Sequence, residues 1–319
     1  MKPVRWREVR RANPAMVALG NFDGVHLGHR RVLETLVAES ARSGLEPALV
    51  TFEPHPRAFF KPGEAHAQLT TPREKLDLLS RWPIETIPLV FDADLAGVDA
   101  DVFVEEFLKD RLRGRRFLLG HDHRFGKGAR GDAALVQRHV ADPARDVILL
   151  EPFVLAGETV SSSAIRAHLE AGRIEQANRL LGRPFSYTGT VIRGDGRGRQ
   201  IGFPTANLDL GHPGKVLAAL GVYGGRVLLG DREHPAIANI GRHPTFGGDA
   251  VHFEVHLLDF EGDLYGKEAR FSLEFRVRPE RRFASVDALK DQIGQDIAFA
   301  RTRLAAGNPV PPQNPPNRP

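Results

Sequence analysis

The sequence predicts an α/β unit with a Rossmann-like parallel sheet, followed by a small antiparallel β-barrel and a C-terminal helix. Three observations predict this architecture. From residue 15 to about 155, short apolar runs alternate with helical patterns, as in a parallel sheet wrapped by helices. At Gly182-Arg183-Pro184 the character changes to closely spaced β-like runs separated by Gly- and Pro-rich turns, which describe a small barrel. A single long helical pattern, Ser285 to about Leu304, then follows. At 319 residues the chain is long enough for two domains, each with its own core.

The strand candidates of the first unit are Met16–Leu19, Ala48–Phe52, Ile87–Phe91, Phe117–Leu119 and Val147–Leu150. Between them lie helical patterns at Arg31–Ala41, Pro72–Trp82, Asp101–Leu112 and Asp132–Val140. Thr71-Pro72-Arg73-Glu74 is a strong helix start: a Thr cap, Pro at the first position and Glu closing a capping box. Ser161–Gly172 and Ile174–Leu181 read as two consecutive helices. The β-like runs of the second unit are Tyr187–Arg193, Val222–Leu229, Ala236–Ile240, Val251–Leu257 and Arg270–Val277. The Pro/Asn-rich stretch from Gly307 to Pro319 cannot bury a core and is expected to be a disordered tail.

Composition excludes several classes of function. Cys is absent, so there is no disulfide framework, thiolate metal site or thiol nucleophile, which fits a reducing compartment. No apolar stretch approaches membrane-span length, and Met1 to Arg11 lacks the apolar core of a signal peptide, so the expected location is cytoplasmic with no membrane partner. A net charge of +4 and a pI of about 9.5 admit nucleic-acid binding, but Arg is scattered rather than clustered. The charge suits small anionic phosphate ligands equally well, and no nucleic-acid partner is expected.

Five stretches carry chemistry. The first, Gly20-Asn21-Phe22-Asp23-Gly24-Val25-His26-Leu27-Gly28-His29, follows a buried strand and leads into a helix. Backbone amides and the positive helix end favour phosphate there. His26 and His29 project from one side of that helix end, where two imidazoles can donate to a phosphate of rising charge. Gly28 leaves room for a ligand close to the backbone. The second stretch, Val160-Ser161-Ser162-Ser163-Ala164-Ile165-Arg166, is either an ordinary Ser cap or an anion site completed by an Arg fork. The third, Gly120-His121-Asp122-His123-Arg124-Phe125-Gly126-Lys127-Gly128, is a loop at the ligand-bearing edge of the sheet. Adjacent residues rarely converge on one ion, which argues against a metal site in it.

The fourth stretch runs from Gly194 through Asp195, Gly196, Gly198 and Gly202 to Phe203-Pro204-Thr205-Ala206-Asn207. A loop this rich in Gly can wrap its amides around phosphates, although a glycine-rich hairpin would look the same. Thr205 and Asn207 share a face of an extended segment and can both offer oxygens to Mg²⁺. The fifth is His252-Phe253-Glu254-Val255-His256, in which His252, Glu254 and His256 face one way along a strand. The carboxylate suits a general base for a hydroxyl, and a solvated strand face is the alternative.

Together these stretches resemble the bacterial bifunctional riboflavin kinase/FAD synthetase family, from Val17 to about Arg301 and in the family's motif order. The resemblance rests on Gly20–His29 with its HxGH, Thr51-Phe52-Glu53-Pro54-His55-Pro56, Val160–Arg166 and Gly202–Asn207. Asn239-Ile240-Gly241, Pro244-Thr245-Phe246, Glu254–Phe260 and Leu264-Tyr265-Gly266 extend it.

The resemblance implies an FMN adenylyltransferase domain over 1–183, a riboflavin kinase barrel over 184–306 and a tail over 307–319. It implies that Glu254 takes the proton of the riboflavin 5′-hydroxyl as that hydroxyl attacks ATP, with Mg²⁺ near Thr205 and Asn207. It further implies that FMN attacks the α-phosphate of a second ATP, giving FAD and pyrophosphate. There His26 and His29 stabilise the transition state, while Ser162, Ser163 and Arg166 hold the triphosphate. Gly20, Asn21, Phe22, Asp23, Gly24 and Gly28 line the nucleotide, as do Gly194, Gly196, Gly198 and Gly202 in the kinase half. His55, Phe60 and Asp122 contact the flavin, with Phe60 stacking on its ring. The chain departs from the family at His123, where a Phe usually stands, and at Ser163, where a Thr does. A different HxGH nucleotidyltransferase would leave Gly202–Asn207 and Glu254 unexplained. A flavin- or nucleic-acid-binding module without catalysis would leave the full set of side chains unexplained.

Overall fold

The computed structural model describes residues 2–61, 67–194, 196–212, 214–245 and 248–307. Asp195, Phe246 and all of the expected tail beyond Gly307 lie outside the described residues. The chain forms two compact units, the first ending at Ser162 and the second beginning at Ser163.

The first unit is built on a five-stranded parallel sheet of β1 (Ala15–Leu19), β2 (Glu46–Glu53), β3 (Glu85–Val90), β4 (Gly114–Gly120) and β5 (Val147–Leu150). The spatial order is β3-β2-β1-β4-β5. All five residues of β1 are buried because both faces are covered. Ala15, Val17 and Leu19 join one core with Val50, Phe107 and Phe117, while Met16 and Ala18 join another with Leu33, Leu36 and Leu49. This two-sided burial is why the strand reads as an unbroken apolar run. The chain winds from β1 outward to β3, then returns to the other side of β1 as β4. That reversal opens a crevice at the carboxyl ends of β1 and β4, where ligands bind in sheets of this kind. The motif 20–29 follows β1 and the loop 120–128 follows β4, so both flank the crevice.

Helix α1 (Leu27–Ser43) follows β1, α2 (Pro56–Phe60) follows β2, and α3 (Pro72–Leu79) precedes β3. The capping box of α3 is present, with Thr71 and Glu74 exchanging hydrogen bonds. Helix α4 runs over 100–111 and its last nine residues are wound as a π-helix. Helix α5 (Ala133–Arg138) starts on an Asp132 cap.

The second unit holds a closed antiparallel barrel of β6 (Phe185–Ile192), β7 (Ala206–Asp209), β8 (Gly221–Leu229), β9 (Arg232–Thr245), β10 (Gly248–Leu257) and β11 (Glu268–Pro279). Its order is β8-β9-β10-β7-β6-β11, closing back on β8. Tyr187, Tyr223, Phe253 and Phe271 fill the interior. The Tyr187 hydroxyl donates to the Val216 carbonyl and accepts from the Ala218 amide, so its polar end is satisfied inside.

Helices α6 (Ser162–Glu170) and α7 (Ile174–Leu181) precede the barrel, and α8 (Val286–Ala305) follows it. The buried Asn178 side chain donates to the Leu273 carbonyl and accepts from the Phe185 amide, which fixes α7 to the barrel. The Ala219 amide donates to the Leu169 carbonyl and does the same for α6. These contacts are why α6 and α7 group with the barrel in space, although the sequence changes character only at Gly182. Apolar residues of α8, Ala300 and Leu304, pack on Ile237 and Phe275.

Candidate active sites

The turn after β1 has an unusual backbone. Phe22 and Val25 have φ of 52° and 39°, a left-handed conformation that such residues rarely adopt, and Gly24 has φ 86°. A strained turn persists only where its surroundings over-determine it. The Asp23 carboxylate accepts from the Leu69 and Thr70 amides and the Thr70 hydroxyl. The Gly24 amide donates to Thr70 Oγ1, and the Ser162 hydroxyl donates to the Asp23 carbonyl. The Asp23 side chain therefore shapes the turn from beneath. Gly20 packs under the Phe22 ring, and a Cβ there would lie 2.8 Å from it.

His26 is the N-cap of α1 rather than a residue within it, and its Nδ1 accepts from the His29 amide at 3.3 Å. The His26 and His29 rings stack with centroids 3.6 Å apart and 17° between planes. Phe22 supports the pair, its ring centroid 4.8 Å from that of His29. A Cβ on Gly28 would press on both the His26 ring and the Val160 carbonyl. Ser163 is exposed and Arg166 half-buried on the first turns of α6.

At the end of β2, His55 is buried and caps α2 by accepting from the Arg57 amide. Phe60 is 62% exposed and meets Phe59 and Phe91 edge-on, which makes a supported aromatic platform. On the β4 loop, Asp122 is exposed next to His121.

His123 is different, since among the described residues its buried Nε2 has no hydrogen-bond partner. Its ring stacks at 6.2 Å on Phe125, and burial pushes its pKa down to about 4. A His that stays neutral in the fold but protonates near 6.5 when unfolded makes stability rise with pH between about 4 and 6.5. Replacing His123 by Phe should raise stability by about 1 kcal/mol or more, since an orphaned buried polar atom costs that much. Urea unfolding at pH 5 and 7.5 should show a larger gain at pH 5, and an equal or smaller gain there would contradict this account.

In the barrel, Glu254 lies directly opposite Asn239 of β9 on one side and Asn207 of β7 on the other. Opposed residues in a sheet share a face, so the carboxylate is flanked by two amide side chains. Phe253 and Val255 point into the barrel at 4% and 1% exposure, so Glu254 faces outward, as the alternation requires. Two glycines of the 194–202 stretch approach the segment that carries Thr205 and Asn207 closely. A Cβ on Gly194 would overlap Asn207 Nδ2 at 2.0 Å, and one on Gly198 would sit 3.1 Å from Thr205 Oγ1. Gly196 and Gly202 have positive φ and open space around them. His256 Nδ1 lies 2.7 Å from the Pro204 carbonyl, tying β10 to the segment that carries Thr205. Among the described residues no cluster of His, Cys, Asp and Glu forms a protein-only metal cage. Hydroxyl and amide oxygens suit a hard cation that keeps waters and substrate phosphates as its other ligands.

The family model for FAD synthetase matches residues 8–164, and that for riboflavin kinase matches residues 181–304. A bifunctional riboflavin kinase/FMN adenylyltransferase of Escherichia coli K12 is 40% identical over 92% of this chain and 94% of its own. The chain belongs to the bifunctional riboflavin kinase/FMN adenylyltransferase family. Members from Pseudomonas fluorescens and Listeria monocytogenes are 38% and 33% identical over 91% and 94% of this chain, covering 93% and 94% of theirs. A crystal structure described as a macrolide-efflux protein from Streptococcus pneumoniae matches with TM-score 0.86 and 29% identity, over 94% of this chain and 98% of that one. Among the described residues no helix is long and apolar enough to cross a membrane. The α/β unit thus carries the FAD synthetase part of a family that makes flavin cofactors, and the barrel carries the riboflavin kinase part.

Lys75 carries no assignment from the sequence, and the place of Asn239 opposite Glu254 becomes visible only once strand register is known. Lys75 had a signal, because it shares the inward face of α3 with Leu79 four residues on, a place for an apolar side chain.

Proposed function

We propose that the barrel phosphorylates riboflavin to FMN with ATP, and that the α/β unit adenylylates FMN to FAD with release of pyrophosphate. The observation that carries the kinase assignment is the outward Glu254 carboxylate held in register between Asn207 and Asn239. Glu254 takes the proton of the ribityl 5′-hydroxyl as that oxygen bonds to the γ-phosphorus and ADP leaves. Thr205 and Asn207 would hold Mg²⁺, which offsets phosphate charge when bound. Gly196 and Gly202, with open space where a side chain would stand, leave their backbone accessible to the phosphates, while Gly194 and Gly198 let the chain pack closely on Asn207 and Thr205.

In the α/β unit, an FMN phosphate oxygen bonds to the α-phosphorus of ATP and the bond to pyrophosphate breaks. No covalent nucleophile is needed, because positioning and electrostatics carry such transfers. His26 and His29 stack side by side at the start of α1, and both imidazoles serve the charge that grows on the transferring phosphate. Ser162, whose hydroxyl holds the Asp23 carbonyl, lies beside the triphosphate. The turn 20–24 and Gly28 line the nucleotide. Phe60 stacks on the isoalloxazine ring, with His55 and Asp122 near the flavin. The reactants are small molecules in the cytoplasm, and neither a nucleic-acid nor a membrane partner enters the reading. Incubating the purified chain with riboflavin and Mg-ATP should yield FMN first and FAD later on separation of the flavins. Absence of either product would reject the corresponding half.

A further inference from the structure

We propose that Lys75 is a positioning residue for adenylyl transfer, its buried ammonium, neutralised by Glu53, holding the Asn21 carbonyl and so the turn 20–25 beneath the nucleotide. The inference rests on the reading that this turn binds ATP. Lys75 and Glu53 are buried at 4% and 9% exposure, and Lys75 Nζ lies 2.5 Å from the Glu53 carboxylate. The same nitrogen donates to the Phe52 carbonyl at 3.0 Å and to the Asn21 carbonyl at 3.4 Å. An ammonium has three N–H donors, and these three acceptors use them all. Two of the acceptors are backbone carbonyls at the carboxyl ends of neighbouring strands, β1 and β2.

A buried ion pair is a poor source of stability, because desolvation offsets its attraction and an apolar pair of similar volume often serves as well. The geometry indicates what else the pair does. The Asn21 carbonyl precedes the two strained residues of the turn and takes a second donor from Thr51 Oγ1 at 3.1 Å. Two further anchors of the turn, Leu69 and Thr70, lie just ahead of the helix that carries Lys75. Thus one segment, 69–75, grips the turn through Asp23, Gly24 and Asn21 together. A shift of about 1 Å in such a frame is enough to cost on the order of 10²-fold in rate.

The test separates positioning from charge neutralisation in the full-length protein. Lys75→Met strands the Glu53 carboxylate and should lower both the thermal midpoint and FAD formation. Lys75→Met combined with Glu53→Gln removes the stranded charge. It should restore most of the thermal midpoint while kcat for FMN to FAD stays about 10-fold or more below wild type. KM for FMN should change little. Thr51→Val, which leaves the ion pair intact, should lower the same kcat in the same sense. FMN formation from riboflavin serves as the internal control and should be unchanged in all three. If the double variant regains adenylyl transfer along with stability, or if Thr51→Val is without effect, Lys75 is only a counter-charge and the proposal falls. If wild type itself makes no FAD, the reading of the turn fails and the proposal fails with it.

Discussion

Replacing Glu254 by Gln should abolish riboflavin phosphorylation while supplied FMN is still converted to FAD. The amide keeps the size and the hydrogen-bonding reach of the side chain between Asn207 and Asn239, so the barrel face is not remodelled. What it loses is the capacity to take a proton, and removal of a general base costs about 10²–10⁴-fold. The 5′-hydroxyl is a poor nucleophile unless its proton leaves as the bond to phosphorus forms. Chromatography of the flavins after incubation with Mg-ATP reads both reactions in one sample. Retention of full kinase activity would remove Glu254 from the mechanism. Parallel loss of both reactions would mean that the substitution acts through something other than proton transfer.

His29→Ala should have the opposite profile, with FMN formation retained and FAD formation reduced roughly 10²-fold or more, the scale for losing one transition-state donor. His29 is the cleaner target of the pair. His26 also caps α1, so truncating it removes a helix cap worth about 1 kcal/mol along with the imidazole. His26→Asn would retain an acceptor for the His29 amide and so separate the two contributions. The discriminating quantity is kcat for adenylyl transfer at saturating FMN and ATP. A change confined to KM would assign His29 to ground-state binding rather than to the rising charge.

Much of this architecture could be read from the residues because local and global preferences coincide. The run Ala15–Leu19 is apolar throughout since both faces of β1 are covered, and Thr71-Pro72-Arg73-Glu74 forms the capping box its residues describe. The alternation at 252–256 gave the orientation of Glu254 without any knowledge of the barrel. Elsewhere tertiary contacts decide. Helix α1 begins four residues before the Arg31 start read from periodicity, because a histidine takes the capping place usual for Ser, Thr, Asp or Asn. Strand β7 is only four residues long and follows a Pro-containing loop, so it has too little pattern to register as a strand. Helices α6 and α7 join the barrel through Asn178 and Leu169, contacts that leave no local trace. In the same way, the part played by Lys75 depends on the carbonyls of Asn21 and Phe52, distant from it along the chain.

The ladder that presents Glu254 also limits how this gene can vary. Asn239, Glu254 and Asn207 sit opposite one another on three strands, with Phe253 and Val255 turned to the interior. Because neighbouring positions of a strand face opposite ways, a one-residue slip would carry the carboxylate into the barrel and expel an aromatic ring. Substitutions along 252–256 are therefore open to selection one at a time. Gain or loss of a single codon there is closed to it, unless a second such change restores the phase.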